Sequence, residues 1–249
     1  MTLTLENVTV RRSGKALLDA VAMTAHPGRV TALCGPNGAG KTTALSVLAG
    51  SFAPNEGCAV LNGTDVRAFD LKTLARHRAV LSQSAKLGFP FLVHEVVAMG
   101  RSPHNGASGP ARNDEIVASA MAHTDVTALA ERNYLTLSGG ERQRVQLART
   151  LAQIWEPPAC GGTRWLLLDE PTSALDLKHQ IALMHLLRDC AQEGWGILAV
   201  LHDLRLVKAH ADDIILMKGG RVADAGPVGD VITPQSIQAV FDLDEPFEV

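Results

Sequence analysis

No apolar run in this chain approaches the roughly eighteen residues that a membrane-crossing helix needs. The opening stretch MTLTLENVTVRRSG lacks the basic-then-apolar order of a secretory leader, so a chain that stays in the cytoplasm is expected. Paired cysteine spacing is also missing. Cys34, Cys58, Cys160 and Cys190 form neither C-x-x-C nor C-x-x-C-H, which argues against a zinc knuckle or a disulfide framework and for free thiols in a reducing compartment. Charge of one sign is not in surplus: with 23 basic against 26 acidic residues and a pI near 6.3, the bulk composition cannot grip nucleic acid or an anionic membrane without a local patch. There is no internal repeat. What is present is length, since 249 residues can bury a substantial core in one large domain or two small ones.

Two kinds of strand pattern are legible. Alternation at Leu3, Leu5, Val8 and Val10, and the segment CAVLNGTDV at 58–66 with its Asn62-Gly63 turn, predict short antiparallel strands of a flanking sheet. Continuous apolar runs at 30–34, 165–168, 197–201 and 214–217, each bounded by turn residues, predict parallel strands buried on both faces. Between about 86 and 150 such runs vanish. Helical spacing takes over at 93–99 and 114–129, around the loop SPHNGASGPARN, so a helical insertion is expected to split an α/β core. The stretch EPPACGGTR at 156–164 reads as a surface loop too short to link separate domains.

The chemistry starts at GPNGAGKT. Gly35, Pro36, Asn37, Gly38, Ala39 and Gly40 follow the run VTALC, and Lys41 and Thr42 open the helical run TTALSVLAG. In that strand, loop and helix context the glycines let backbone N–H groups curl around phosphate oxygens. Lys41 reaches the terminal phosphates, the Thr42 hydroxyl can ligate magnesium, and Thr43 supports it from beside. A second element, WLLLDEP, ends a buried strand in two acids, which demands a cation or a proton-transfer task to offset their desolvation. Asp169 would then sit over magnesium and Glu170 would polarise an attacking water; the alternative is that both acids merely cap the next helix. Together the two elements predict an NTPase. A third element, LSGGERQRV, places a helix N-terminus at Ser138, Gly139 and Gly140, where bare N–H groups attract a second anion.

These segments, GPNGAGKT, Gln83 in VLSQS, LSGGERQ, LLLDEPTSALD and His202 in AVLHD, resemble the ATP-binding subunit of an ABC transporter over nearly the whole chain. The resemblance implies an α/β P-loop NTPase (RecA-like) core with an antiparallel flanking sheet and an inserted α-helical subdomain. Residues 1–249 would form a single ABC ATPase domain, with 1–85 and 151–249 as the core and 86–150 as the helical subdomain. It implies ATP and Mg2+ as cofactors. Two copies would pair head to tail, each Ser138, Gly139 and Gly140 closing over the γ-phosphate seated on the other's Lys41, an arrangement in which residue i meets j and j meets i. By the same resemblance Gln83 would contact magnesium and the water while its loop touches the membrane subunit, and His202 would bond the γ-phosphate. Asp176 would lie at the dimer seam, the alternative being a simple helix cap. Where the family usually carries an adenine-stacking aromatic, this chain has Arg12 followed by Ser13 and Gly14. A guanidinium plane can also stack on a purine, so Arg12 is the candidate.

Within the family, GFPFLVHEVVAMGRSPH resembles subunits that energise importers of iron chelates, haem and cobalamin. RWLLLDEPTSALDLKHQ and the extended QIWEPPACGGT are most similar to the ATPases of haem importers. The implied setting is a homodimer on the cytoplasmic face of the bacterial inner membrane, peripheral, docked on two permease subunits and served by a periplasmic substrate-binding protein. Two other classes are weighed beside it. A nucleic-acid-acting ABC ATPase would carry a long coiled coil or two ATPase modules and a basic face, so no nucleic-acid partner is expected. A phosphoryl-transferring kinase would leave LSGGE without a role.

Overall fold

The structure is a computed structural model, and it describes residues 1–82, 87–159 and 161–245. Gln83, the magnesium and water contact expected from the family, lies outside the described residues.

The chain opens with β1 (Leu3–Arg12) and β2 (Lys15–Ala25), antiparallel across a turn in which Ser13 and Gly14 both have positive φ, 50° and 77°. The inward set Leu3, Leu5, Val8 and Val10 is buried as expected, with a phase slip between Leu5 and Val8 that Asn7 absorbs at φ 49°. Bulges of this kind hid β2 from pattern reading, because its register shifts repeatedly against β1 and Ala20 stands at φ 47°. β3 (Val30–Cys34) is buried throughout and runs through the glycine loop into α1 (Lys41–Leu48). β4 (Glu56–Leu61) and β5 (Thr64–Asp65) then form the expected hairpin over Asn62 and Gly63, at φ 53° and 87°. The four antiparallel strands stand in the order β2-β1-β4-β5.

α2 (Leu71–His77), capped by Asp70, leads directly into β6 (Arg78–Leu81). The helical stretch follows: α3 (Val93–Ala98), a 3-10 turn over Met99–His104, α4 (Pro110–His123) and α5 (Gly139–Gln153), which passes position 150 unbroken. The second helix of this stretch begins four residues earlier than its spacing suggested and ends at 123 rather than 129. Pro110 supplies the N-terminal start. At the other end the Thr124 hydroxyl donates back to the Ala120 carbonyl and Asp125 turns left-handed at φ 54°. The segment read as an open loop at 102–113 is therefore partly 3-10 turn and partly helix.

β7 (Trp165–Asp169), α6 (Leu177–Gln192), β8 (Gly196–Val200), α7 (Leu204–His210), β9 (Asp213–Lys218) and β10 (Arg221–Pro227) complete the core, with short α8 (Val228–Val231) and α9 (Pro234–Phe241) behind them. The second sheet has the order β10-β9-β3-β8-β7-β6, parallel except for β10. β10 was not legible because it is an edge strand with no buried residue. The buried runs obey the period of two. Val30, Ala32, Leu166, Leu168, Ile197, Ala199, Ile214 and Leu216 face the helices, while Leu33, Trp165, Leu167, Leu198, Val200, Ile215 and Met217 face α1 and the flanking sheet. Burying each of the Val, Leu, Ile and Met side chains among them contributes about 1.5–3 kcal/mol. Gly196 is required by Trp165, whose ring occupies the space a Cβ would take. This is the expected α/β core with its flanking antiparallel sheet and inserted helices. The three described cysteines, Cys34, Cys58 and Cys190, are free thiols. Among the described residues no helix is long and apolar enough to cross a membrane.

Candidate active site

β3, β7 and β8 run parallel as neighbours or near neighbours, so their carboxyl ends open on one edge of the sheet, where open α/β folds bind ligands. β3 delivers the glycine loop, β7 ends in Asp169 and Glu170, and His202 follows β8 by two residues. The loop's backbone demands glycine for two different reasons. Gly35 sits at φ 145° with its α-carbon against the Met217 carbonyl oxygen of β9, which any Cβ would overlap. Gly40 sits at φ 101°, and a Cβ there would come within 2.7 Å of the Leu17 carbonyl oxygen.

The loop encloses a cavity of about 200 Å³ lined by Leu17, residues 37–43 and Glu170. Lys41 is buried, and its Nζ donates to the carbonyl oxygens of Gly35 at 2.7 Å and Pro36 at 2.9 Å. Burial pushes its pKa down, opposed by Cys34, Glu170 and Asp169. The Thr42 hydroxyl lies 3.3 Å from Asp169 Oδ1, a long hydrogen bond. Asp169 is only 5% exposed, and burial raises its pKa against the Thr42 bond. Cys34 beneath the loop is pushed up to about 12 by burial and stays a thiol.

Glu170 adopts a left-handed backbone at φ 51°, a strained conformation for a non-glycine residue of the kind that gathers at functional sites. That turn aims its carboxylate at His202, whose Nε2 is hydrogen-bonded to Glu170 Oε1 at 2.8 Å. Strand order thus unites in one crevice residues that stand far apart in sequence: 35–43, 169–170 and 202.

The second cradle is well formed but separate. Ser138 caps α5 in a reciprocal box: its N–H donates to Glu141 Oε2 at 2.7 Å and the Glu141 N–H donates to Ser138 Oγ at 3.3 Å. Ser138, Gly139 and Gly140 do not line the cavity over Lys41. They rest instead on the segment that follows Glu170. A Cβ on Gly140 would meet the Ala174 carbonyl oxygen at 3.0 Å, and Gln143 Nε2 donates to the Pro171 carbonyl at 3.2 Å. Asp176 caps α6, accepting from the His179 N–H at 2.9 Å and facing its ring Nδ1 at 2.7 Å. Arg12 is exposed at the tip of the β1–β2 hairpin and does not line the cavity. The wall on that side is Leu17. Sequence reasoning missed Leu17, Gln143 and Gln180, the last of which donates to the Thr172 and Leu175 carbonyls. Gln143 and Gln180 fall inside the stretches LSGGERQ and RWLLLDEPTSALDLKHQ, but their role, like that of Leu17, rests on a contact made only in the folded chain.

A phosphate loop, a buried acid beneath its threonine and a strained glutamate beside it define a phosphate-loop nucleotide hydrolase. The additional capped glycine helix narrows the class. The sequence pattern described as ABC transporter matches residues 18–173, and the chain belongs to that family, as its ATP-hydrolysing subunit. It is similar to the hemin import ATP-binding protein HmuV of Rhizobium meliloti (strain 1021), with 42% identity over 94% of this chain and 89% of that protein. Similarity to the hemin import ATP-binding protein HmuV of Gloeobacter violaceus is 46% identity over 95% of this chain and 86% of the relative. Among solved structures, the dimeric structure of MJ0796, a bacterial ABC transporter cassette, superposes with a TM-score of 0.79 at 26% identity, covering 91% of this chain and 98% of the other.

Proposed function

We propose that this chain energises haem import: a homodimer binds and hydrolyses two ATP molecules and drives two membrane permease subunits fed by a periplasmic binding protein, from the cytoplasmic face of the inner membrane. The observation that carries the catalytic half is the Glu170–His202 pair at 2.8 Å beside the Lys41 loop. Residues 35–40 wrap the phosphates with backbone N–H groups, and Lys41 exchanges its bonds to the Gly35 and Pro36 carbonyls for the terminal phosphates. The buried Asp169 carboxylate and the Thr42 hydroxyl are hard oxygen donors placed together, which suits Mg2+, an ion that keeps several waters and takes one or two protein oxygens besides phosphate. When bound it neutralises charge on the β- and γ-phosphates. Gln83 completes this set by family resemblance.

With His202 turned to the γ-phosphate, Glu170 is released to accept a proton from water. The water oxygen bonds to the γ-phosphorus, the bond from phosphorus to the leaving ADP oxygen breaks, and the proton resides on Glu170. Ser138, Gly139 and Gly140 of the second copy close the site, which explains why they stand outside the Lys41 cavity of their own chain. Asp176 meets the partner at this seam. Arg12 or Leu17 supplies the face for adenine. The haem assignment is supported by the two relatives named for hemin import. Reconstitution with the co-purifying permease in lipid vesicles tests it: haem-loaded binding protein stimulates ATP hydrolysis, whereas binding protein offered an iron chelate or cobalamin does not. Equal stimulation by cobalamin would reassign the cargo.

A further inference from the structure

Arg101 belongs to the GRSPH stretch that marked the importer class, yet it reaches no nucleotide. It is a charged side chain only 3% exposed, and every nitrogen of its guanidinium is engaged. Nη1 donates to the Ala152 carbonyl in the last turn of α5 at 2.7 Å, Nε to Asn113 Oδ1 of α4 at 2.9 Å, and Nη2 to Glu156 Oε2 at 2.7 Å. Arg112 Nε holds the other oxygen of Glu156 at 2.9 Å. Two bonds from the same stretch surround this ion pair. His104 Nε2 meets the Gln153 carbonyl at 2.8 Å, and the Pro103 carbonyl accepts from Arg76 Nε at 2.9 Å. Gln153 in turn donates its amide to the Ala75 carbonyl in the last turn of α2 and to the Arg78 carbonyl at the start of β6. Gly100 is pressed so closely on the Arg149 carbonyl that a Cβ would overlap it. The base of α5 is therefore riveted to the 99–104 turn, and Glu156, from the extended loop after α5, supplies the charge that makes the rivet.

The other end of the same stretch is tied as well. Residues 87–92 include Phe89, 71% exposed, and the Phe91 carbonyl accepts from the Tyr134 N–H at 2.9 Å. The Tyr134 hydroxyl accepts from Gln146 in the middle of α5 at 2.8 Å. α5 itself is 15 residues long, about 22 Å of continuous helix, with Ser138 at its far end. An exposed segment, a turn and a helix are thus joined by hydrogen bonds at the base and at the middle of α5.

We propose that Arg101 and Glu156 are positioning residues that make the exposed 87–92 segment and the Ser138 helix move as one body, so that permease contact at the first sets the seating of the second on the partner's ATP. This rests on the transport reading above. A buried ion pair broken on one side is costly, whereas removal of only the outer guanidinium leaves the inner pair intact. Glu156→Gln keeps the shape and removes the charge, and Gly100→Ala acts sterically on the same joint without touching the charge. The chain is co-reconstituted with its co-purifying permease and loaded binding protein. In both variants ATP hydrolysis without permease stays within about twofold of the original, while the stimulation by permease falls on the order of tenfold, the scale of a typical coupling between sites. Arg112→Gln retains stimulation. If both Glu156→Gln and Gly100→Ala are stimulated normally, or if their basal and stimulated rates fall in parallel, the coupling is refuted and the joint is only structural. If the unmodified chain shows no stimulation by permease, the transport reading itself fails and takes the proposal with it.

Discussion

Asp169→Asn is expected to make the nucleotide-free chain more stable while abolishing its chemistry. Asp169 is 5% exposed, it accepts a long 3.3 Å hydrogen bond from the Thr42 hydroxyl, and Glu170 beside it adds a like charge. Lys41, the cation of the site, spends its hydrogen bonds on the Gly35 and Pro36 carbonyls. Burial raises the Asp169 pKa above its unfolded value, so the native state holds a proton that the unfolded state has already released. Stability is therefore complete below the ordinary carboxylate range and falls as pH rises from there through the folded pKa. Asn can still accept from Thr42 but carries no charge, so it is free of this loss. Relieving a buried and incompletely paired charge is worth about 1–3 kcal/mol. For a chain of this size that is roughly 2–12 °C in the midpoint of unfolding. Thermal melts at pH 5 and pH 8 without nucleotide should show the gap between variant and original widening at the higher pH. Saturating ATP and Mg2+ should then stabilise the original by about 3–4 kcal/mol at 100–1,000 times the dissociation constant, and the variant far less. A variant that melts below the original at pH 8 without nucleotide refutes the reasoning.

Glu170→Gln should retain ATP binding and lower turnover by about 10²–10⁴-fold, as loss of a general base does, and should accumulate an ATP-bound dimer visible by light scattering. Mixing a Lys41→Ala chain with a Ser138→Arg chain, each inactive alone, should restore measurable ATP hydrolysis, because the mixed pair contains one site with an intact lysine loop and an intact glycine helix; no recovery at any mixing ratio argues against head-to-tail pairing. Gly35→Ala should cost more than about 3 kcal/mol, since the new methyl meets the Met217 carbonyl and the backbone conformation is closed to it; denaturant unfolding measures this directly.

How much of this was legible depended on whether a requirement was local. The Gly35–Thr42 loop announces itself because backbone N–H groups can surround a phosphate only where side chains are missing, between a strand and a helix that have their own periods. β3, β7 and β8 were legible because both faces are buried and the apolar run is unbroken. β2 was not, because its bulges break the alternation, and β10 was not, because an exposed edge has no pattern to show. α4 was misplaced at both ends because a proline start and a left-handed Asp125 are end signals that outweigh helical spacing. The acids of WLLLDEP were legible as a carboxylate pair ending a buried strand, but the bond from Glu170 to His202 joins residues 32 positions apart and depends on β7 and β8 being neighbours. The loop at 156–164 looked like plain surface, whereas Glu156 and Arg164 tie it inward, the Arg164 guanidinium lying 4.3 Å over the Trp195 ring. Contacts of that kind belong to the folded chain alone.

The abutment of Gly140 on Ala174, with Gln143 holding the Pro171 carbonyl, has a consequence for kinetics. In the reciprocal pair proposed above, the helix offered to the neighbour's nucleotide is braced against the residues just downstream of Glu170, the proposed general base. Occupancy on one side is thereby felt on the other, and initial rates plotted against ATP concentration should bend into a sigmoid with a Hill coefficient above one.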